Sequence, residues 1–130
     1  MLENEHRRML LVVEDEAIVR LAAVTFLREY GFGVVDAGSG DQAMDILETS
    51  EIAFDLVFSD IQMPGRIDGC GLARWIRTEK PHIKVILTSG AVKDFQLTDD
   101  LSEIGPIEVK PYDHASIVDR IESELNATII

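Results

Sequence analysis

Short apolar runs alternate with longer amphipathic stretches along the chain. The first run, residues 9–13, has no polar break, as expected of a strand that is buried on both faces of a sheet. The same reasoning predicts further strands at 32–37, 54–59, 84–88 and 107–109. Helical periodicity predicts helices at 16–30, 41–49, 71–78 and 113–125, with Gly31 and Asp41 as a C-terminal and an N-terminal cap. The helical pattern between 92 and 104 is weak, which predicts a short or mobile helix.

Five strands that alternate with helices predict βαβ units, and therefore one parallel sheet with helices on both faces. The length of 130 residues suits a single α/β domain with a core at about 9–126. A chain of this size buries roughly two thirds of its unfolded surface, so we expect it to fold without disulfides or a structural metal.

Polar side chains follow the predicted strands at points that share one edge of such a sheet. Glu14 and Asp15 follow the first strand, Asp60 follows the third, Thr88 and Ser89 end the fourth, and Lys110 ends the fifth. The carboxyl ends of parallel strands lie together, and open α/β sheets bind ligands at that edge. Taken singly, each of these residues is more often a helix cap or a loop residue. A role as cap or loop residue would not explain why all of them lie at the ends of strands on one edge of the sheet.

Three carboxylates that lie together repel one another and raise one another's pKa values, which favours a bound cation. Oxygen ligands suit a hard ion, and Mg2+ typically takes one or two carboxylates while it keeps several waters. We expect Asp15 and Asp60 to be direct ligands and Glu14 to act through water. The Thr88 hydroxyl and the Lys110 ammonium are expected to bind a phosphoryl group on the side opposite the metal. Asp60 could then act as a nucleophile and form an aspartyl phosphate.

Four segments match the motifs of a known family. They are the acidic pair in Val12-Val13-Glu14-Asp15-Glu16, the phosphorylation loop in Ser59-Asp60-Ile61-Gln62-Met63-Pro64-Gly65 with Asp68-Gly69 after it, the switch segment Thr88-Ser89-Gly90-Ala91, and the signature Val109-Lys110-Pro111. On these motifs, nearly the whole chain resembles the receiver domains of bacterial two-component response regulators. The resemblance implies a flavodoxin-like, doubly wound sheet with the strand order 2-1-3-4-5. Because the chain ends soon after its last predicted helix, we expect a stand-alone receiver with no DNA-binding or enzymatic output domain.

The resemblance implies a role for each matching residue. Asp60 would be the phosphoacceptor, phosphorylated by a histidine kinase or a histidine phosphotransfer protein in a Mg2+-dependent reaction. The implied Mg2+ ligands are Asp15, Asp60, the backbone carbonyl of Gln62 and, through water, Glu14. Thr88 and Lys110 would contact the phosphoryl group, and the bond between Lys110 and Pro111 would often be cis.

The segment from Ala17 to Ala23 would be the docking face for the kinase, and a downstream protein target would receive the signal. Ile18, Val19 and Leu21 exceed what one core-facing stripe needs, although packing of all three inside the domain is equally compatible with the pattern.

Two departures from the family pattern stand out. The loop at Gly65-Arg66-Ile67-Asp68 is one residue longer than the commonest spacing, which leaves its shape open. The position three before Lys110 is usually aromatic, but here it is Ile107, which is stiff and has no ring to rotate. Activation is therefore expected to appear mainly as a backbone shift between Gly90 and Leu101.

Composition and charge limit the classes of molecule that the chain is expected to bind. The net charge of -12 argues against nucleic-acid binding through phosphates and favours cationic partners, including metal ions, although a well-solvated surface would explain it equally. Cys70 is the only cysteine, so no internal disulfide can form, and a reducing compartment is expected. No signal peptide or apolar stretch of membrane-spanning length is visible, so the expected location is cytoplasmic, with no membrane partner.

Two other functions stay open. A small Mg2+-dependent phosphohydrolase would also use an aspartate nucleophile, but such enzymes commonly carry a second acid–base aspartate two residues later, where this chain has Gln62. Turnover of p-nitrophenyl phosphate would identify such an enzyme. The second is an unphosphorylated receiver-like scaffold, against which the presence of Asp15, Asp60, Thr88 and Lys110 argues. The protein is thus expected not to be an enzyme beyond phosphotransfer to itself and slow autodephosphorylation.

Overall fold

The computed structural model describes residues 7–90 and 99–127 of the chain. Within these residues the strands are β1 (Met9–Val13), β2 (Gly33–Ala37), β3 (Leu56–Asp60), β4 (Lys84–Ser89) and β5 (Glu108–Val109). The helices in the same residues are α1 (Ala17–Glu29), α2 (Gly40–Thr49), α3 (Gly69–Glu79), α4 (His114–Asn126) and a short 3-10 helix, Asp99–Ile104. All strand pairs are parallel, and the order is β2-β1-β3-β4-β5. The predicted α/β fold and strand order are therefore confirmed.

The unbroken apolar character of β1 follows from helices on both faces of the sheet. Leu10 and Val12 pack in a cluster with buried residues of α1 and α4, whereas Leu11 and Val13 pack in a second cluster with residues of α2 and α3. Successive side chains of a strand point to opposite faces, so a strand between two helical layers is apolar at every position. Leu10 and Leu11 have no exposed surface, and each such side chain contributes roughly 1.5–3 kcal/mol to folding.

Several predicted boundaries are shifted by local hydrogen bonds. The third strand was predicted at 54–59, but it includes Asp60, because Asp60 pairs with Thr88 in the β3–β4 ladder. The prediction of Asp41 as a helix cap is wrong. Ser39 caps α2 by accepting from the backbone N–H of Gln42, and the Asp41 carboxylate instead accepts from the backbone N–H of Ile67 at 3.1 Å.

Gly31 ends α1 as a C-terminal cap, as the sequence predicts. Gly31 follows the last turn with a φ of +100°, a left-handed conformation that glycine adopts without strain. Its N–H donates to the carbonyl of Arg28, and that of Phe32 donates to Leu27. These bonds satisfy carbonyls that the helix leaves free, so α1 ends where the sequence predicts.

The weak helical segment predicted at 92–104 is described only in part. Residues 91–98 lie outside the described part of the chain, so most of the segment in which a backbone shift is expected lies outside it as well. The described remainder forms the 3-10 helix, whose Leu101 side chain is completely buried. No helix in the described residues combines the length and the apolar character that crossing a membrane requires.

Candidate functional site

The register of the sheet brings four strand ends to one edge. Val13 of β1 pairs with Ser59 of β3, which places Glu14 beside Asp60. Asp60 in turn pairs with Thr88 of β4. On the other side of β4, the backbone N–H of Lys110 donates to the carbonyl of Ser89 at 2.9 Å and extends the ladder by one bond past β5. The predicted meeting of these residues at the carboxyl edge is thus what the register produces.

Three carboxylates form a compact cluster at this edge. One oxygen from each of Glu14, Asp15 and Asp60 lies within 4.8 Å of the others. Glu14 and Asp60 are nearly buried, with exposed fractions of 5% and 6%, and Asp15 is the more exposed member. Oxygen donors at this spacing fit the coordination preference of a hard divalent cation.

Lys110 lies against the cluster. Its Nζ donates to Glu14 Oε1 at 2.7 Å and to Asp60 Oδ2 at 3.3 Å. The other Glu14 carboxylate oxygen accepts from the backbone N–H of Glu16 at 3.1 Å. The peptide bond between Lys110 and Pro111 is cis, as the family resemblance implies.

Burial is the main reason that the pKa values of Glu14 and Asp60 lie above their ordinary values, and the charge of a neighbouring carboxylate adds to it. Hydrogen bonding and charge from Lys110 act in the opposite direction on both groups. Burial lowers the pKa of Lys110, but its hydrogen bond to Glu14 and the charge of Asp60 outweigh that effect and raise it. One ammonium thus faces three carboxylates, and the excess negative charge favours a further cation.

Residues 61–68 form the loop after Asp60, which the family resemblance implies is the phosphorylation loop. Backbone hydrogen bonding from Gln62 acts to lower the pKa of Asp60, which indicates that the loop backbone lies next to the carboxylate cluster. The role of the Gln62 carbonyl as a metal ligand stays a prediction. In this loop Gly65 has a φ of +112°, and the backbone N–H of Ile67 donates to Asp41 Oδ1, which ties the loop to the first turn of α2.

Thr88 lies beside Asp60 in the sheet and is buried, and its contact with a phosphoryl group stays a prediction. Its side chain is 3% exposed and lines a narrow cleft that Asp60, Glu14 and Tyr112 also line. Its carbonyl accepts from the backbone N–H of Ile61 at 2.8 Å, which fixes the start of the phosphorylation loop against β4.

The first turns of α1 present apolar residues to solvent. Ile18 and Leu21 are 83% and 66% exposed, so these two side chains do not pack inside the domain. Val19, which is half-buried, lines a groove of about 390 Å3 beside them. The other residues that line this groove are Ala22, Ala23, Phe26, Lys110, Pro111, Tyr112 and His114.

Two residues near the site were not found by the sequence reasoning. Tyr112 is half-buried, and its ring lies 5.6 Å from that of Phe58 and 6.3 Å from that of Phe26. Its position two residues after Lys110 is a signal that could have drawn attention to it. Arg20 donates from Nη1 to the carbonyl of Glu14 at 2.8 Å. No sequence motif marks Arg20, since its contacts depend on how α1 packs beside β2.

Comparison with known proteins gives a consistent result. The family described as response regulator receiver domain matches residues 10–122. The transcriptional regulatory protein PdtaR of Mycobacterium tuberculosis is 33% identical over 118 residues, which is 88% of this chain and 55% of PdtaR. The sensor kinase CckA of Brucella abortus is 42% identical over 84 residues, or 65% of this chain and 9% of CckA. The chain thus spans about half of PdtaR and a small part of CckA.

Solved structures agree in fold. A response regulator receiver domain protein from Clostridium thermocellum has a TM-score of 0.83 at 23% identity, over 93% of this chain and 96% of that one. The response regulator protein TrrA from Thermotoga maritima, in complex with Mg(2+)-BeF, has a TM-score of 0.77 at 28% identity, over 89% of this chain and 97% of that one. Because the family match covers most of the described residues and solved receiver domains share their fold, this chain belongs to the response regulator receiver domain family.

Proposed function

We propose that this receiver domain of two-component signal transduction accepts a phosphoryl group on Asp60 in a Mg2+-dependent reaction. The observation that carries the proposal is the cluster of Glu14, Asp15 and Asp60, with Lys110 against it. Asp60 is the one carboxylate of the cluster at the end of the central strand β3. This strand lies between β1, which Glu14 and Asp15 follow, and β4, which carries Thr88.

The donor set fits Mg2+. Asp15 and Asp60 would be direct ligands, joined by the Gln62 carbonyl, and Glu14 would act through water. The pKa values of Glu14 and Asp60 are raised, mainly by burial, so a bound cation would favour the ionised form of both groups. Bound Mg2+ would neutralise charge on the transferring phosphoryl group.

The side chains around Asp60 have complementary roles. An Asp60 carboxylate oxygen forms the new bond to phosphorus as the bond between phosphorus and the donor histidine nitrogen breaks, and the imidazole keeps that electron pair. Lys110 lies within hydrogen-bond distance of Asp60, so its ammonium would bind a phosphoryl oxygen. Thr88 would donate its hydroxyl from the neighbouring strand, at the level of Asp60.

The proposed donor is a histidine kinase or a histidine phosphotransfer protein, and the proposed docking face is the exposed start of α1. Ile18 and Leu21 present apolar surface there, beside the groove that Lys110 also lines. The phosphorylated domain would act in the cytoplasm on a downstream protein target. Its strong negative charge argues against direct contact with nucleic acid.

Phosphorylation with acetyl phosphate and Mg2+ tests the proposal. Intact-protein mass spectrometry should detect one added phosphoryl group on the wild type and none on Asp60→Ala. Asp45→Asn, which removes an exposed carboxylate on α2, is the control and should be phosphorylated like the wild type. An unchanged yield in Asp60→Ala would place the phosphoacceptor elsewhere.

Titration with Mg2+ tests the ligand assignment. Asp15→Asn should weaken binding by at least about tenfold, because it removes a direct charged ligand. Glu16→Gln is a matched control, because Glu16 is the next residue after Asp15 and the variant removes the same charge from an exposed side chain. Equal affinities for Asp15→Asn and the wild type would show that Asp15 is not a ligand.

A further inference from the structure

We propose that Arg20 is a positioning residue for the metal site, and that it sets Mg2+ affinity by fixing the peptide between Glu14 and Asp15. This inference rests on the proposed function, because it concerns the same Mg2+ site. It adds a residue that does not belong to the acidic cluster and whose side chain reaches the site only through a backbone atom.

The Arg20 guanidinium joins three elements of the fold. From α1, its Nη1 donates to the Glu14 carbonyl at 2.8 Å, and its Nε donates to Asp36 Oδ2 on β2 at 2.9 Å. The Arg20 side chain is 25% exposed, and a Cβ on Gly38 would lie 3.2 Å from Nη1. The space beside Gly38 is therefore taken up by the guanidinium, which has two charge-assisted contacts in a fixed planar geometry.

The peptide that Arg20 contacts carries both members of the acidic pair. Its carbonyl belongs to Glu14 and its nitrogen to Asp15, so its orientation sets the direction in which each side chain leaves the backbone. The Glu14 N–H donates to the carbonyl of Ala37 at 3.1 Å. Glu14 is thus bonded to β2 directly through its N–H, and through Arg20 and Asp36 at its carbonyl.

The position of the Asp15 carboxylate depends on this peptide more than the positions of the Glu14 and Asp60 carboxylates do. Lys110 holds the carboxylates of Glu14 and Asp60 directly. Within the described residues, the Asp15 carboxylate has no hydrogen bond or ion pair to hold it. Its position relative to the other two carboxylates therefore follows from the peptide before it. Replacing a group that orients a metal ligand without binding the metal itself typically lowers metal affinity by about 10–100-fold.

The loss of the Arg20 charge and the loss of its orienting contacts should change Mg2+ affinity in opposite directions, so a measured affinity distinguishes them. Removal of a cation near an acidic site strengthens attraction for Mg2+ if charge alone matters. Removal of a group that orients the ligands weakens binding. Arg28 offers a matched control: it also lies on α1, and its Nη2 donates to a β2 carbonyl, that of Val34, at 2.9 Å, but it has no contact with the Glu14–Asp15 peptide.

The experiment compares Mg2+ affinity by calorimetry, and melting temperature, for Arg20→Met, Arg20→Lys and Arg28→Met. Both methionine variants should lose some stability, but only Arg20→Met should raise the Kd for Mg2+, by about fivefold or more. Arg20→Lys, which keeps the charge without the planar two-point contact, should give an intermediate loss. In metal-free protein, the carbonyl 13C shift of Glu14 should change in both Arg20 variants and stay constant in Arg28→Met.

The outcomes separate this inference from the function it rests on. If the wild type does not bind Mg2+, the proposed metal site and this inference both fail. If the wild type binds Mg2+ and Arg20→Met binds it equally or more tightly, the positioning role alone is wrong. If Arg20→Met does not fold, Arg20→Lys and Asp36→Asn decide. The first replaces the planar guanidinium by an ammonium that cannot make both contacts, and the second removes the carboxylate charge that binds Nε. Unchanged affinity in both variants would overturn the inference.

Discussion

Lys110 Nζ lies 2.7 Å from Glu14 Oε1, although 96 positions separate the two residues in the chain. Glu14 follows β1 and Lys110 follows β5, with β3 and β4 between them in the sheet, so the ammonium reaches past the ends of two strands. This contact makes Lys110 the cation that offsets the buried charge of the carboxylate cluster in the metal-free protein.

Replacement of Lys110 by alanine should separate stability from phosphorylation. In metal-free protein, Lys110→Ala leaves two buried carboxylates without their ammonium, which should lower the free energy of unfolding by about 3 kcal/mol. Mg2+ should restore part of this loss, and the yield of phosphorylated protein should still fall well below that of the wild type. Urea unfolding with and without Mg2+ measures the first effect, and Lys80→Ala serves as the control. Wild-type phosphorylation of Lys110→Ala would contradict the proposed role.

Asp60→Asn should stabilise the metal-free protein at neutral pH. The folded-state pKa of Asp60 is raised, mainly by burial, so its ionised form opposes folding at any pH above that pKa. A neutral amide removes this effect, and we expect a gain on the order of 1 kcal/mol, or about 3 °C in melting temperature. The gain should shrink as the pH falls towards the unfolded pKa of aspartate, where the wild-type carboxyl is protonated as well. A lower melting temperature for Asp60→Asn at pH 7 without Mg2+ would show that the Lys110 contact outweighs burial.

Two glycines of α3 should respond to alanine with opposite signs. A Cβ on Gly69 would lie 2.2 Å from the Asp60 carbonyl oxygen, so Gly69→Ala forces the backbone of the phosphoacceptor to move. We expect a loss of roughly 1–3 kcal/mol and a lower phosphorylation yield. On Gly71 the nearest atom would be 3.4 Å away, an ordinary contact, and the gain in helix propensity should stabilise by up to about 1 kcal/mol. Urea unfolding of both variants checks the pair, and a neutral Gly69→Ala would mean that the loop adjusts freely.

The thiol of Cys70 should react slowly at neutral pH. Burial, followed by the charge of Asp68, raises the pKa of Cys70 above its ordinary value, although a helix N-terminus usually lowers it. Because the thiolate is the reactive form, the rate of alkylation by iodoacetamide should reach its midpoint at a higher pH in native than in urea-unfolded protein. A native midpoint at or below the unfolded one would show that the helix terminus outweighs burial.

The fold and the placement of polar residues at one edge of the sheet could be predicted from sequence, because both depend on local patterns. The apolar run of β1 and the helical periodicity that follows it are properties of neighbouring residues, and alternation of such elements leads to a parallel sheet. The carboxyl ends of parallel strands share an edge, so Glu14, Asp60 and Thr88 could be placed together before any distance was known.

Other features could not be predicted, because they depend on contacts between distant parts of the chain. Asp41 was predicted to cap α2, since an aspartate at a helix start is usually a cap, but its carboxylate accepts instead from Ile67, 26 positions away. The exposure of Ile18 and Leu21 was open for the same reason, because periodicity shows an excess of apolar positions but not which of them the core covers.

The sequence by itself determined which polar residues lie at the carboxyl ends of the strands, since strand ends are set by the local order of side chains. Only the tertiary structure decided how those residues are held. The bond from Arg20 to the Glu14 carbonyl requires α1 to lie beside β2, and the bond from Lys110 to Glu14 requires the whole sheet to form in register. Hydrogen bonds are sensitive to distances of a few tenths of an ångström, and such distances exist only once the elements have packed.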